Sequence, residues 1–232
     1  MTLPDGVEYH VFGDSGDDDE GDGIEGDGKG DDGPGSLATR GEPVYGEPTD
    51  GEYRRWDPHR SKLGAMLALG MDTGLAGAET ALYLGAAAGT TVSHVADFAG
   101  PTYAVEFAAR PMSDLLDATE SRPNLVPLLK DARQPATYAH VVEPVDVLVQ
   151  DVATRGQARV ARLNSQFLRE DGRLLLAIKS RSEDVTRAPD DVFDDALDDL
   201  RGEYEVLETE RLSPYHEDHL GVVARPTADG TL

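Results

Sequence analysis

The chain contains no cysteine. That excludes disulfides, thiolate metal sites and a cysteine nucleophile. Lysine is almost as scarce, with only Lys29, Lys62, Lys130 and Lys179. The longest apolar stretch, Leu63 to Met71, is too short to span a bilayer. The segment Met1–Gly6 has neither a basic patch nor an apolar core, so no secretory signal is expected. Those readings predict a soluble, cytoplasmic protein. A basic stripe is missing too, although nucleic-acid binders usually carry one.

Acid is abundant. There are 45 Asp and Glu against 21 Lys and Arg in 232 residues, a formal net charge of −24. Residues 13–35 hold ten acids, nine glycines and one lysine. The excess also runs through the rest of the chain. An acidic, lysine-poor surface suits concentrated salt, where the Debye length falls to about 3 Å at 1 M and like charges hardly repel. The Asp/Gly tract cannot bury apolar surface and is expected to be disordered. Its repeats suggest a calcium loop beginning at Asp18, Glu20 and Asp22, but Lys29 then stands where the bidentate acid belongs.

Residues 1–56 read as a small N-terminal β region containing that insertion. Val7 to Phe12 forms a short strand, and 36–56 is punctuated by Gly and Pro. From 57 to 226, with a tail at 227–232, strands and helices alternate. Ala81–Leu84 reads as a buried strand, followed by a glycine turn and a helix to about Phe98. Tyr103–Phe107, Asn124–Leu128, Val145–Val149 and Leu174–Ile178 read as further strands. A helix opening at Pro111 should turn Met112, Leu115 and Leu116 inward. Another over 157–168 should bury Val160, Leu163 and Phe167. Pro189, followed by two aspartates, starts a third. Two final strands, about 204–212 and 219–225, lack a helix between them and should pair as a hairpin. Alternation predicts an α/β fold, a parallel sheet with helices on both faces. With the terminal antiparallel hairpin, that is the seven-stranded, Rossmann-like shape of class I methyltransferases.

The turn after the first strand of that sheet reads Gly85-Ala86-Ala87-Ala88-Gly89-Thr90-Thr91. A dinucleotide fingerprint would require glycine at 87 and glycine or alanine at 90. S-adenosylmethionine carries no phosphate and tolerates the alanine. Glu106 ends the second strand, where a carboxylate can accept both ribose hydroxyls. Asp131 and Asp151 follow the third and fourth strands on the same rim. Lys179 ends the apolar strand and should emerge beside Asp151. Lys62 precedes the first strand and His219 starts the last. Together they offer two ammonium groups, a carboxylate and an imidazole.

Several stretches resemble fibrillarin. They are Arg54–Leu63, Tyr83–Val95, Tyr103–Phe107, Asp131–Arg133, Asp151–Ala153 and Pro214–His219, in order along residues 36–226. The likeness is to the archaeal form, since no Gly/Arg-rich arm precedes the domain. It implies an S-adenosylmethionine-dependent, guide-RNA-directed 2′-O-methyltransferase of rRNA and tRNA, the catalytic subunit of a box C/D ribonucleoprotein. The implied tetrad is Lys62, Asp151, Lys179 and His219. The implied cofactor residues are Gly85, Thr90, Thr91, Glu106, Phe107, Asp131, Ala132, Asp151, Val152, Ala153 and Thr154, with no metal. Gln is more usual where Thr154 stands. The implied partners are guide and target RNA, a scaffold protein and a kink-turn-binding protein, with no membrane and no DNA. A NAD-dependent oxidoreductase and a non-catalytic assembly subunit are the competing readings.

Overall fold

The computed structural model describes residues 3–12, 35–76 and 78–227. The acidic tract, with its calcium-loop residues, lies outside them, apart from Gly35. Four short strands come first, β1 (Val7–His10), β2 (Ser36–Arg40), β3 (Thr49–Asp50) and β4 (Tyr53–Arg55), forming an antiparallel sheet in the order β1-β2-β4-β3. Then follow α1 (Lys62–Ala68), β5 (Ala81–Leu84), α2 (Thr90–Phe98), β6 (Thr102–Glu106), α3 (Ala109–Thr119) and β7 (Leu125–Leu129). The remainder is β8 (Val145–Gln150), α4 (Gln157–Asn164), β9 (Leu168–Lys179), α5 (Ser180–Glu183), α6 (Pro189–Leu200), β10 (Tyr204–Arg211) and β11 (His219–Pro226).

The large sheet runs β10-β11-β9-β8-β5-β6-β7. β5 to β9 are parallel, while β11 pairs antiparallel with both β9 and β10. The expected terminal hairpin is therefore present. All four residues of β5 are buried, as a strand covered on both faces requires. One core packs Trp56, Met66, Val92 and Leu115 against one face, and a second packs Tyr138, Val160, Phe193 and Leu200 against the other. No helix among the described residues is long and apolar enough to cross a membrane.

Three local expectations change. The helix predicted over 157–168 stops at Asn164, whose amide donates back to the Val160 and Ala132 carbonyls. A single 3-10 turn follows, and β9 begins at Leu168, opposite Val145. The polar run Arg169–Arg173, ahead of the expected strand, belongs to β9 as well, past an irregularity in register. Leu163 is partly exposed and Leu116 is 50% exposed. In α3 the buried residues are Met112, Leu115 and Ala118, so Leu116, about 100° around the helix, falls outside the stripe.

The small sheet is fastened to α2 by buried charge. Arg54, fully buried, donates to the Glu42 carbonyl and to Ser93 Oγ, and its Nε lies 2.9 Å from Glu47. Arg122 holds Asp97 at 2.8 Å and reaches the same Glu42 carbonyl. Thr39 donates to Asp97 and lies 2.7 Å from His94 Nδ1, while Tyr45 Oη lies 3.0 Å from Nε2. Thr39's one proton goes to Asp97, so Nδ1–H is the donor to Thr39, and Nε2 faces the Tyr45 hydroxyl, which also donates to the Arg55 carbonyl at 3.2 Å. Trp56 stacks on the His94 ring, 4.8 Å between centroids. Burial and the two arginines hold His94 well below the usual imidazole value, which suits this neutral, doubly bonded ring.

Candidate functional site

A cavity of about 520 Å³ opens over the carboxyl ends of the parallel strands. Its floor is the β5–α2 turn. Gly85 has φ +85°, and a Cβ there would fall 2.3 Å from the Asp151 carbonyl oxygen. Only glycine lets the two strand ends close up. Ala87 also adopts a positive φ of 48°, and its amide donates to Glu106 Oε2 at 2.9 Å. The other Glu106 oxygen accepts from the Ala108 amide at 2.7 Å. Glu106 thus locks the turn while its carboxylate lines the cavity.

Gly85, Glu106, Phe107, Asp131, Ala132, Asp151, Val152, Ala153 and Thr154 all line this space. Phe107 is 69% exposed. Arg133 clasps the Asp131 carboxylate through Nε and Nη2 and holds it below the usual carboxylate range. Thr90 and Thr91 lie outside the lining. The Thr91 hydroxyl instead donates to Ser61 Oγ at 3.1 Å. Ser61 caps α1 through the Gly64 amide, so Thr91 braces the helix that begins with Lys62. Sequence reasoning missed this contact because Ser61 and Thr91 meet only through the fold. It also passed over Ala87, Lys130 and Arg133, which line the cavity.

Asp151 joins the cavity to a second group of side chains. Its Oδ2 lies 3.0 Å from Lys62 Nζ, both side chains being about one quarter exposed. That ion pair is made by Lys62 rather than by Lys179, which has no ion pair among the described residues. Lys179 is at the end of β9, in register with His219 at the start of β11. The His219 Nδ1–H donates to the Glu217 carbonyl at 2.6 Å, which leaves Nε2 as the acceptor of the neutral ring. Burial lowers the His219 value. Lys62 and Lys179 also lower it, while the Glu217 bond and Asp151 act the other way. The imidazole therefore feels all three of the other groups. His216, which sequence reasoning did not single out, stands 5.6 Å from His219 ring to ring and contacts the Pro58 carbonyl at 2.8 Å.

The Fibrillarin family model matches residues 35–228. The chain belongs to the fibrillarin family. The fibrillarin-like rRNA/tRNA 2′-O-methyltransferase of Haloarcula marismortui is 71% identical over 229 residues, covering 99% of this chain and 100% of that protein. The protein of the same name from Methanosarcina mazei is 51% identical over 181 residues, covering 75% and 80%. Among solved structures, a fibrillarin/Nop5p complex matches with TM-score 0.79 and 40% identity over 83% of this chain and 95% of that one. Aeropyrum pernix fibrillarin in complex with natively bound S-adenosyl-L-methionine matches with TM-score 0.71 and 42% identity over 82% and 88%. The Haloarcula source agrees with the salt-adapted composition.

S-adenosylmethionine is the cofactor of this fibrillarin, and the cavity suits it chemically. Phe107 and the Glu106 and Asp131 carboxylates line it, groups able to meet a purine, its amino group and a ribose diol, and no cationic cradle for a pyrophosphate is built into the Gly85–Gly89 turn.

Proposed function

We propose that Lys62, Asp151, Lys179 and His219 carry methyl transfer to a ribose 2′-hydroxyl in this fibrillarin. The chain is an S-adenosylmethionine-dependent rRNA/tRNA 2′-O-methyltransferase of the box C/D type. Asp151 is the observation that carries the assignment. Its backbone oxygen packs on Gly85 in the cavity floor, and its carboxylate is paired with Lys62. One residue thus spans the cofactor half and the reactive half.

When bound, S-adenosylmethionine supplies a methyl already activated on a sulfonium. Phe107 would stack the adenine, Glu106 would take the ribose hydroxyls, and Asp131 with Ala132 would meet the base edge. The backbone and side chains of Asp151–Thr154 close the remaining side. The chain then has two tasks, alignment and proton removal. Alignment can supply about 7–11 kcal/mol. Lys179 and Asp151 bracket the 2′-hydroxyl. Lys62 orients the Asp151 carboxylate and adds positive potential that favours a developing alkoxide. His219, neutral at pH 7, offers Nε2 as an acceptor beside them.

The acidic surface bears on the partners. RNA binding weakens steeply with salt through counterion release, and this chain carries net negative charge. A guide RNA, a scaffold protein and a kink-turn-binding protein therefore hold the substrate, with the N-terminal β region as the scaffold contact. The test is single-turnover methylation in a particle reconstituted from those parts. Lys179→Ala and Asp151→Asn should each lose most of the rate, and the isolated chain should be nearly inactive. Wild-type rates in either variant, or robust site-specific activity without a guide, would overturn the assignment.

A further inference from the structure

Lys179 is held in place by a buried side chain outside the tetrad. The β8–β9 ladder ends at Gln150 opposite Leu176. Lys179 lies three residues further on, paired with His219 of β11 on one side. On its β8 side the strand no longer reaches it. Gln157, fully buried at the start of α4, fills that place. Its Oε1 accepts from the Lys179 backbone amide at 2.9 Å, and its Nε2 donates to the Lys179 carbonyl at 3.1 Å. A side-chain amide thereby supplies the two bonds that a neighbouring strand would make.

The same amide is oriented by Glu183. Gln157 Nε2 also donates to Glu183 Oε1 at 2.9 Å, and the two Glu183 oxygens accept from the Gly156 and Gln157 amides at 2.7 Å each. Gln150 Nε2 donates to the Gln157 carbonyl at 2.8 Å. Both ends of the 151–156 turn, whose first four residues line the cavity, therefore converge on Gln157 with the end of β9. Every donor and acceptor of its amide is used in one orientation only.

We propose that Gln157 is a positioning residue for methyl transfer, setting where Lys179 stands relative to the cofactor-side turn. The inference rests on the reading that Lys179 acts in the reaction. Gln157→Met keeps the volume and removes all three side-chain bonds. Gln157→Glu keeps the acceptor for Lys179 and sets a second carboxylate against Glu183. Each is assembled into the reconstituted particle, and single-turnover methylation is measured at saturating S-adenosylmethionine below the melting temperature. Cofactor affinity is measured by calorimetry on the full chain. The expected result is a rate at least about tenfold lower in both, since small misplacements of reacting groups are costly. Cofactor affinity should change much less than the rate, because Lys179 does not line the cofactor cavity. A merely structural role would lower the melting temperature and leave the saturating rate intact, and that result overturns the proposal. Should Gln157→Glu fail to fold, Glu183→Gln, which disturbs the amide's orientation from outside, replaces it under the same criterion. Lys179→Ala is run in parallel. If it keeps the wild-type rate, the tetrad assignment fails. If it loses the rate while Gln157→Met does not, only the present inference fails.

Discussion

Replacing Gly85 with alanine should damage fold and cofactor site together. Two separate terms add. The residue has φ +85°, and a left-handed conformation costs a non-glycine roughly 1–2 kcal/mol. The new Cβ would also sit 2.3 Å from the Asp151 carbonyl oxygen and 3.1 Å from Val152 Cγ1. An ordinary C···O contact is about 3.3 Å, so backbone must move by about 1 Å. Such overpacking typically costs a further ~1–3 kcal/mol. Gly46 supplies the control, because it has φ +78° and nothing within 4 Å of its would-be Cβ. Gly46→Ala should pay the backbone term alone. At about 2–4 °C per kcal/mol for a chain of this size, it should melt about 2–8 °C low and Gly85→Ala about 4–20 °C low. The moved backbone belongs to Asp151, so methyl transfer should also fall, on the order of 10²-fold for a 1 Å displacement. Melting is followed in molar KCl, cofactor binding by calorimetry and transfer by single turnover. If Gly85→Ala melts with Gly46→Ala and keeps full affinity and rate, the close approach is wrong.

Other outcomes follow from single features. Phe107→Ala should weaken S-adenosylmethionine binding by about 1–3 kcal/mol, the usual worth of base stacking, read by calorimetry. Unchanged affinity would remove the ring from the cofactor site. Because the His94 value is lowered in the folded chain, the unfolded chain binds the extra proton first as pH drops. Stability present above the ordinary imidazole value should then be lost as pH falls below about 6.5. Asp97, whose value burial raises, acts in the opposite direction. Melting temperature against pH checks this, and a flat profile from pH 7 to 5 would contradict it. Thermal stability should rise between ~0.1 and ~2 M KCl as screening relieves the acidic surface, and a salt-independent melt would contradict the salt-adapted reading.

Much of the fold was legible because a strand covered on both faces reads as an unbroken apolar run. Ala81–Leu84 and Leu174–Ile178 announce themselves that way, and Pro189-Asp190-Asp191 marks the start of α6. The rest depended on distant contacts. Asn164 ends α4 by bonding to Ala132 and Val160, and nothing local signals it. Leu116 reads as core until Met112, Leu115 and Ala118 define the buried stripe. In the site, the acids at successive strand ends were readable from spacing, since parallel strands deliver their termini to one rim. The choice of Lys62 over Lys179 as the partner of Asp151 was not, because α1 reaches the rim from outside the sheet. Thr91, a cofactor residue by resemblance, has its hydroxyl on Ser61, a contact that only the fold creates.

The central claim is that the cofactor's methyl faces Lys62, Asp151, Lys179 and His219 from a seat between Phe107 and the Asp151–Thr154 turn. The most direct measurement is a crystal structure of this chain grown with S-adenosylmethionine. The account predicts adenine against Phe107, ribose on Glu106 and the methyl carbon directed at the four side chains. Cofactor bound elsewhere, or seated with its methyl turned away from them, would contradict it.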